Sequence, residues 1–450
     1  MDSSLAMIEE ALTMPAVRSA QGGDWRAHAA NCRKYLDASA PPPLRVWVAD
    51  SEPVRFFAAA FTALARGDHV FLANHRWSAT DWEAALEIAQ PEVFFSHDGS
   101  ERHLRPPGDG PLFGDGRMMI ATGGTSGRMR FAIHTADSLF AAADALRVHF
   151  GTRVVSSVCV LPVHHIGGVQ QVVRAIASGG EVLCADWKSV EGGAFPEVGP
   201  NWTISLVPAQ LHRLVNSAPA RRWLREFRAV MVGGGPAGTH LLASARDAQI
   251  PVSVVYGSTE TAALVAALKP AEFLAGARNC GHALPHAVIR IADLDTGLEC
   301  SAGEPGRIII KSASLYEGYW PRPEHILVLA TEDIGVLDDL GRLTVIGRAD
   351  AVINSGGEKI HPAEVEAAIR ATGQLQDVVV AGAPDPEWGE TVAALYPSAA
   401  EPDIAALESA LRASLGSIKL PRLWVPIADW PVNDAGKVNR ALLRELLMEH

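Results

Sequence analysis

The sequence has few cysteines, no long apolar run and no excess of positive charge. Its five cysteines are scattered (Cys32, Cys159, Cys184, Cys280 and Cys300), with no C-x-x-C pair and no histidines at metal spacing, so neither a disulfide framework nor a structural zinc site is indicated. The longest apolar runs fall well short of the ~20 residues that cross a bilayer. The 39 Lys and Arg against 51 Asp and Glu leave a formal charge of −12, which argues against a nucleic-acid or membrane-surface binder.

What is present indicates a globular chain of several domains. The 450 residues, 48% of them hydrophobic, are enough for two or three domains with a large core. The first 16 residues carry acids where a secretory signal would carry Lys or Arg, and scattered cysteines suit a reducing compartment. We therefore expect a cytoplasmic protein without membrane insertion and without a nucleic-acid partner.

Short β-branched runs alternate with helical patterns from about residue 54 to 285, which predicts an α/β region with largely parallel sheets. The helices are predicted at 54–65, 80–89, 136–150, 170–178 and 239–248, and the strands at 69–72, 93–96, 118–121, 157–161, 181–184, 229–232 and 252–255.

The pattern then changes to strands and turns over about 286–349, which predicts a β-rich subdomain with strands at 287–292, 307–311, 335–338 and 342–346. We expect residues 350–450 to form a separate, small α+β domain. Its predicted helices are 362–371, 404–415 and 441–448, and its strands are 377–382, 391–397 and 423–427.

A glycine-rich segment follows the predicted strand 118–121 and precedes another predicted strand, 131–134. Its sequence is Thr122-Gly123-Gly124-Thr125-Ser126-Gly127-Arg128-Met129-Arg130. Its glycines allow backbone N–H groups to turn toward an anion, its hydroxyls add donors, and its arginines add positive charge, which predicts a phosphate site. It is not the P-loop pattern, because no G-x-x-x-x-G-K-S/T sequence occurs here and the next element is predicted to be a strand rather than a helix. A solvent-exposed hairpin is the alternative interpretation.

A second polar segment, Tyr256-Gly257-Ser258-Thr259-Glu260-Thr261, follows the predicted strand 252–255. Ligands of α/β sheets bind at the carboxyl ends of strands, where Thr259 can donate to a phosphate and Glu260 can hold Mg²⁺. The alternative is that Ser258 or Thr259 caps the next helix, with Glu260 in its first turn.

Together these segments resemble the adenylate-forming superfamily, which comprises acyl-CoA synthetases, nonribosomal adenylation domains and luciferases. Six further segments match the superfamily's motifs in their usual order: Leu161-Pro162-Val163-His164-His165-Ile166-Gly167-Gly168, Gly233-Gly234-Gly235-Pro236, Thr331-Glu332-Asp333, Gly347-Arg348-Ala349-Asp350, Asn354-Ser355-Gly356-Gly357-Glu358-Lys359-Ile360 and Asn433-Asp434-Ala435-Gly436-Lys437-Val438-Asn439-Arg440.

The resemblance implies a large N-terminal α/β domain, residues 1–349, and a small mobile C-terminal domain, residues 350–450, joined at a hinge at Asp350. The catalytic residues it implies are Lys437, His165, Glu260 and Thr259, with Glu260 as the metal ligand and His164 as a competitor for the gating position of His165. The implied nucleotide site comprises Thr122, Gly123, Gly124, Thr125, Ser126, Gly127, Arg130, Gly234, Gly235, Tyr256, Gly257, Ser258, Asp333, Arg348, Asp350, Gly356 and Gly357.

Each residue also has an ordinary structural interpretation. His165 could be a core or capping histidine, Asp333 and Asp350 could be turn residues, and Lys437 could be a solvated loop lysine. The spacing Gly233-x-Gly235-x-x-Gly238 matches a dinucleotide-binding pattern, but the following strand ends at Val255-Tyr256, where that pattern needs an acid.

The sequence departs from the superfamily at two positions of the phosphate segment. Met129-Arg130 stands where Pro-Lys is usual, so the planar guanidinium group of arginine replaces the compact ammonium group of lysine. Gly123 stands where a residue with a hydroxyl group is common. Phosphate binding remains the expectation, but the individual roles of Arg128 and Arg130 are open.

The implied reaction is ATP-dependent and AMP-forming: a carboxylate is adenylated, and CoA then displaces AMP, with Mg²⁺ on the phosphates. The segments around residues 120–135 and 161–174 are most similar to the o-succinylbenzoate–CoA ligases of menaquinone and phylloquinone synthesis. That substrate carries a second carboxylate, for which Arg174 or Ser258 could be the donor. The alternatives are a CoA synthetase for another carboxylate and a noncatalytic nucleotide-binding relative. We expect the protein to be a monomer or a homodimer.

Overall fold

The structure is a computed structural model that describes residues 3–14, 16–19, 22–96, 101–103, 114–123, 129–355, 358–386, 388–415, 418–432 and 438–448. Up to residue 184 its helices are α1 (Ser3–Leu12), α2 (Trp25–Ser39), α3 (Pro53–Arg66), α4 (Ala79–Ala89), α5 (Ala136–His149) and α6 (Ile166–Ser178). The strands of this part are β1 (Val17–Ser19), β2 (Arg45–Val48), β3 (His69–Leu72), β4 (Val93–Phe95), β5 (Glu101–His103), β6 (Arg117–Gly123), β7 (Met129–His134), β8 (Ser156–Cys159) and β9 (Val182–Cys184).

The second part of the α/β region runs to residue 283. It contains helices α7 (Trp187–Glu191), α8 (Pro208–Val215), α9 (Ala218–Leu224), α10 (Thr239–Asp247) and α11 (Pro270–Leu274). Its strands are β10 (Trp202–Leu206), β11 (Ala229–Val232), β12 (Val252–Tyr256), β13 (Ala266–Ala267) and β14 (His282–Ala283).

The rest of the chain is richer in strands. It contains β15 (Ala287–Ala292), β16 (Gly306–Ser312), β17 (Gly318–Tyr319), β18 (Arg322–Pro323), β19 (Leu329–Leu337) and β20 (Leu343–Arg348). The final segment contains β21 (Ile353–Ser355), β22 (Glu358–Ile360), β23 (Val379–Asp385), β24 (Gly389–Pro397), β25 (Leu423–Ile427), α12 (Pro362–Ala371), α13 (Ile404–Leu415) and α14 (Arg440–Met448).

Two eight-stranded sheets form the α/β body. The first has the order β1-β9-β8-β10-β11-β12-β13-β14, and its strands from β1 to β12 are parallel. The second has the order β18-β17-β7-β6-β3-β2-β4-β5, with a parallel centre and antiparallel edges. Parallel strands of one sheet direct their carboxyl ends to a shared edge, where polar loops can converge.

The buried helix α3 illustrates how the sequence builds this body. Glu52 caps its first turn by accepting from the Arg55 N–H, Pro53 occupies the first helical position, and Gly67 ends the helix at φ +98°. Ten residues between Val54 and Leu64 are buried, and all of them except Thr62 are apolar. The helix therefore lies within the largest core cluster.

Two smaller sheets complete the described chain. The order β15-β16-β19-β20 is wholly antiparallel, and β22-β21-β24-β23 is joined by β25, which runs parallel to β24. The C-terminal sheet has its own apolar clusters on both faces, and α12 contacts α10 and β20 of the body. No helix in the described ranges is long and apolar enough to cross a bilayer.

The predicted α/β class, with parallel sheets, a β-rich part and an α+β end, is confirmed. The boundary at residues 349 and 350 stays a prediction. The prediction was wrong in detail at 335–338, which is only the end of the longer strand β19, and it omitted α1, α2, β2 and the central strand β10. In β10 the polar Thr203 is buried because its hydroxyl lies 2.9 Å from Ser157 Oγ of the neighbouring strand, which breaks the expected apolar run.

Candidate functional site

The carboxyl end of β12 carries the predicted segment Tyr256–Thr261. Gly257 is required there, because a Cβ atom at this position would lie 1.6 Å from the carbonyl oxygen of Ala263. A single 3₁₀ turn, Thr259–Thr261, follows, and the Ser258 side chain makes no capping hydrogen bond to it. Ser258 nevertheless occupies the N-cap position of this turn, with Glu260 in its first turn, and the Ser258 backbone N–H donates to Thr261 Oγ1 at 2.9 Å.

Tyr256, Asp333 and Arg348 meet as the resemblance implies. The Tyr256 hydroxyl donates to Asp333 Oδ2 at 2.7 Å, and Arg348 Nη1 lies 3.7 Å from Asp333 Oδ1 across the β19–β20 pair. Burial and the adjacent Asp333 carboxylate raise the pKa of Tyr256, so the phenol stays protonated and donates. A carboxylate accepts up to about four hydrogen bonds, so Asp333 can also accept from a pair of sugar hydroxyls.

Glu260 lies beside Tyr319, which the sequence did not single out. The Tyr319 hydroxyl donates to Glu260 Oε1 at 2.8 Å, and the Tyr316 N–H donates to the Glu260 carbonyl at 2.9 Å. Burial and the Glu260 charge raise the pKa of Tyr319. No local sequence signal marks Tyr319, because its place depends on its pairing with Ala132 of β7, the strand that follows the glycine-rich segment.

Glu260 fits a magnesium ion that is shared with phosphates. Its Oε2 accepts no hydrogen bond from the described residues, so one hard oxygen ligand is available. Within those residues no group of three or more His, Cys, Asp or Glu side chains could hold a metal by itself. Mg²⁺ characteristically takes one or two carboxylates and completes its shell with water and substrate phosphates.

A second residue that the sequence analysis missed is His134, the last residue of β7. Its Nε2 donates to the carbonyl of Thr259 at 2.8 Å, and its Nδ1 lies 3.0 Å from Ser138 Oγ. Burial lowers the pKa of His134 to about 4, so the ring is neutral and the Nε2–H tautomer satisfies the Thr259 carbonyl. The signal was a histidine at the end of the otherwise apolar run 131–133.

The two strands that flank the glycine-rich segment pair with each other, Thr122 with Arg130 and Gly123 with Met129. The Arg130 guanidinium lies over the Tyr319 ring, 4.1 Å from its centroid. The predicted residues Gly124, Thr125, Ser126, Gly127 and Arg128 lie outside the described residues.

A cleft of about 1200 Å³ is lined by residues of three other motifs, 161–168, 233–236 and 433–440. Gly234 and Gly235 line it, and Gly234 has a φ of +78°, which favours glycine. His164 also lines this cleft and is 5% exposed, and its Nε2 finds no hydrogen-bond partner in the part of the chain that the structure describes. His165 precedes α6 without capping it, and its ring centroid lies 4.3 Å from that of His164.

Burial, together with the neighbouring His165, His75 and Arg76, lowers the pKa of His164 well below its usual value. The ring is therefore neutral. The described geometry places His164 at the cleft, and which of the two histidines acts as the gate stays a prediction.

The remaining predicted residues cannot be placed. Lys437, Gly356 and Gly357 lie outside the described residues, as does the side chain of Asp350. The described neighbours Val432 and Val438 pair with each other and line the cleft. Arg440 donates to both oxygens of the buried Glu366, at 2.6 and 2.7 Å, which fixes the start of α14 against α12.

Arg174 on α6 is buried, and no described residue offers it an acid. It is 3% exposed, its Nε has no hydrogen-bond partner among the described residues, and its Nη1 lies 4.0 Å from the weak acceptor Sδ of Met231. Burial alone lowers the pKa of Arg174 to about 10, and no carboxylate of the described residues contributes. Met231 belongs to an apolar cluster with Leu146 and Leu264, and β11 ends at the next residue, Val232.

The chain is similar to characterised ligases along most of its length. It is 30% identical over 410 residues to a 2-succinylbenzoate–CoA ligase of Geobacillus kaustophilus, covering 85% of this chain and 83% of that protein. It is 28% identical over 345 residues to an indoleacetate–CoA ligase of Aromatoleum aromaticum, covering 73% of this chain and 67% of that protein.

Solved structures share the fold. ATP-bound MatB from Rhodopseudomonas palustris matches with a TM-score of 0.83 at 21% identity, over 98% of each chain. The o-succinylbenzoate–CoA synthetase of Bacillus subtilis with its acyl-adenylate intermediate matches with a TM-score of 0.81 at 21% identity, over 97% of each chain. The model of the AMP-binding enzyme family matches residues 113–320, and that of the AMP-binding enzyme C-terminal domain matches 364–437. This chain is therefore a member of the AMP-binding enzyme family.

Proposed function

We propose that the protein is an ATP-dependent, AMP-forming ligase that activates o-succinylbenzoate and transfers the acyl group to CoA. Family membership and the similarity to 2-succinylbenzoate–CoA ligases support the reaction class. The first step joins a carboxylate oxygen to the α-phosphorus of ATP and releases pyrophosphate. The second joins the CoA sulfur to the acyl carbon and releases AMP.

The observation that carries the substrate assignment is the buried guanidinium of Arg174. A buried charge without a partner is unfavourable, and unsatisfied buried groups call for an explanation. The apolar residues around Met231, together with one cation, suit an aromatic acid that brings a second carboxylate of its own. Ser258, the other candidate, is half-buried and supplies a hydroxyl without charge.

The remaining residues would act by positioning and by charge. Mg²⁺, when bound, neutralises the phosphate charge that spreads during transfer. Glu260 is the residue that would hold it, Tyr256 and Asp333 would orient the ribose, and the glycine-rich segment would surround the phosphates. Lys437 would supply a cation to the reacting oxygens, and rotation at Asp350 would withdraw that cation before CoA attacks.

Pyrophosphate exchange into ATP over a panel of acids tests the proposal. We expect exchange with o-succinylbenzoate but little with benzoate, indoleacetate or either monoester of o-succinylbenzoate, because one carboxylate reacts and the other pairs with Arg174. In Arg174→Met the KM for o-succinylbenzoate should rise roughly a hundredfold, because a buried charge pair is lost. The KM for ATP should hardly change.

The matched control is Arg153→Met, which removes an exposed arginine and should leave both constants unchanged. Equal use of the diacid and its monoester by the wild type would contradict the assignment of Arg174. Exchange with indoleacetate alone would favour a CoA synthetase for another carboxylate, the second candidate, which the similarity to an indoleacetate–CoA ligase supports. No exchange with any acid would favour a noncatalytic nucleotide-binding protein.

A further inference from the structure

We propose that Tyr319 is a positioning residue that holds the Glu260 carboxylate for Mg²⁺–ATP, and that Arg130 acts on Tyr319 rather than on phosphate. The inference rests on the proposed function only to the extent that the protein binds ATP with a metal. It assigns a role to Tyr319, which no motif indicated, and to Arg130, which replaces the superfamily's usual lysine.

The contact between Tyr319 and Glu260 fixes one carboxylate oxygen. The phenol donates to Oε1 at 2.8 Å, while Oε2 accepts nothing from the described residues. The Tyr316 N–H holds the Glu260 carbonyl at 2.9 Å, so backbone and side chain are both anchored to the 316–319 segment. The free lone pairs of Oε2 are therefore directed by a preformed contact, and the metal would not have to order the side chain itself.

Arg130 anchors Tyr319 from its other side. The guanidinium carbon lies 4.1 Å from the ring centroid, close enough for a cation–π contact. Tyr319 pairs with Ala132 of β7, the strand that also carries Arg130, so backbone pairing and ring stacking reinforce each other. A planar guanidinium stacks on an aromatic face better than an ammonium does, which gives the replacement of lysine by arginine a physical reason.

The geometry thus links β7, the strand that follows the glycine-rich segment, to the Glu260 carboxylate through one aromatic ring. Arg130 contacts the ring face, the hydroxyl contacts Glu260, and Tyr316 packs against Tyr319 edge-on with centroids 5.0 Å apart. The residue at 130 would influence ATP binding only when the metal is present, whereas a phosphate-binding cation would influence it with or without metal.

Calorimetric titration of ATP, with Mg²⁺ and with EDTA in its place, separates these roles without any turnover. In Tyr319→Phe the Kd for ATP with Mg²⁺ should rise roughly tenfold, the usual order for a lost hydrogen bond to a charged group. The Kd in EDTA should stay at the wild-type value. Tyr396→Phe, which removes a hydroxyl from the C-terminal sheet, is the matched control and should change neither constant.

The same titrations on Arg130 variants decide what its charge does. We expect Arg130→Lys and Arg130→Met to weaken binding alike, several-fold with Mg²⁺ and not in EDTA, and to add little in the Tyr319→Phe background. If Arg130→Lys binds like the wild type while Arg130→Met is weaker in EDTA as well, Arg130 is a phosphate ligand and its assignment here is overturned. An unchanged Mg²⁺ dependence in Tyr319→Phe overturns the role of Tyr319. A wild type that binds no ATP under either condition contradicts the proposed function instead.

Discussion

Arg45 and Arg174 are both buried, 4% and 3% exposed, yet their surroundings differ completely. Arg45, at the start of β2, has its acid: Nη2 lies 2.9 Å from Glu92 Oε1, and its backbone N–H donates to Glu92 Oε2 at 2.7 Å. The guanidinium group of Arg174 lies instead beside the thioether of Met231, which belongs to an apolar cluster. Both lie within the α/β body, so depth in the protein alone does not explain the contrast.

The proposed function interprets this difference as that between a charge compensated within the chain and one compensated by a ligand. The Arg45–Glu92 pair joins β2 to the start of β4, and the two charges compensate each other, although Nε of Arg45, like that of Arg174, has no hydrogen-bond partner among the described residues. The Arg174 charge has no acid among those residues, so under the proposed function its compensation comes from the ligand. The two sites should therefore respond oppositely when the charge is removed.

Breaking the structural pair should have the largest effect. Glu92→Gln leaves the Arg45 charge buried without compensation, so we expect the free energy of unfolding to fall by about 3–5 kcal/mol. Urea denaturation at pH 7 measures it. Glu181→Gln, which breaks the exposed Arg18–Glu181 pair, is the control and should change stability by less than about 1 kcal/mol. A similar small loss for Glu92→Gln would remove the basis of the comparison.

His134 sharpens the comparison, since it is buried as a neutral group. Its pKa is about 4 in the folded chain and near 6.5 when unfolded, so above pH 6.5 neither state carries the proton and the group contributes nothing. As the pH falls from 6.5 to 4, the unfolded chain takes up the proton first and stability falls. The loss reaches about 3 kcal/mol, since each pH unit in that window corresponds to roughly 1.4 kcal/mol.

The measurement is the difference in unfolding free energy between wild type and His134→Gln from pH 7.5 to 4. Gln can still donate to the Thr259 carbonyl but cannot titrate, so its stability should fall less steeply toward acid pH. His240→Gln, at an exposed histidine, should follow the wild-type curve. Parallel curves for wild type and His134→Gln would mean that His134 is not buried as a neutral ring.

The sequence predicted the α/β architecture and the site residues that belong to ordered motifs, and the structure brings Tyr256, Asp333 and Arg348 together. It could not predict Tyr319, because the contact with Glu260 spans 59 residues and depends on how β17 pairs with β7. His134 was missed for the same reason, since its partner, the Thr259 carbonyl, lies 125 residues away. Local patterns identify elements and motifs, whereas contacts across sheets need the fold.

Removing the Arg174 charge should have the smallest effect on stability, and of the opposite sign to Glu92→Gln. Arg174→Met removes an uncompensated charge and keeps an unbranched apolar stem, so the free energy of unfolding should stay the same or rise by about 1 kcal/mol. Arg45→Met leaves Glu92 buried and unpaired, and it should unfold more easily. At one fixed concentration, o-succinylbenzoate should raise the melting temperature of the wild type more than that of Arg174→Met, because only the wild type gains a charge pair on binding. If Arg174→Met is instead destabilised by several kcal/mol without ligand, the Arg174 charge already has a partner within the chain and is structural, as that of Arg45 is.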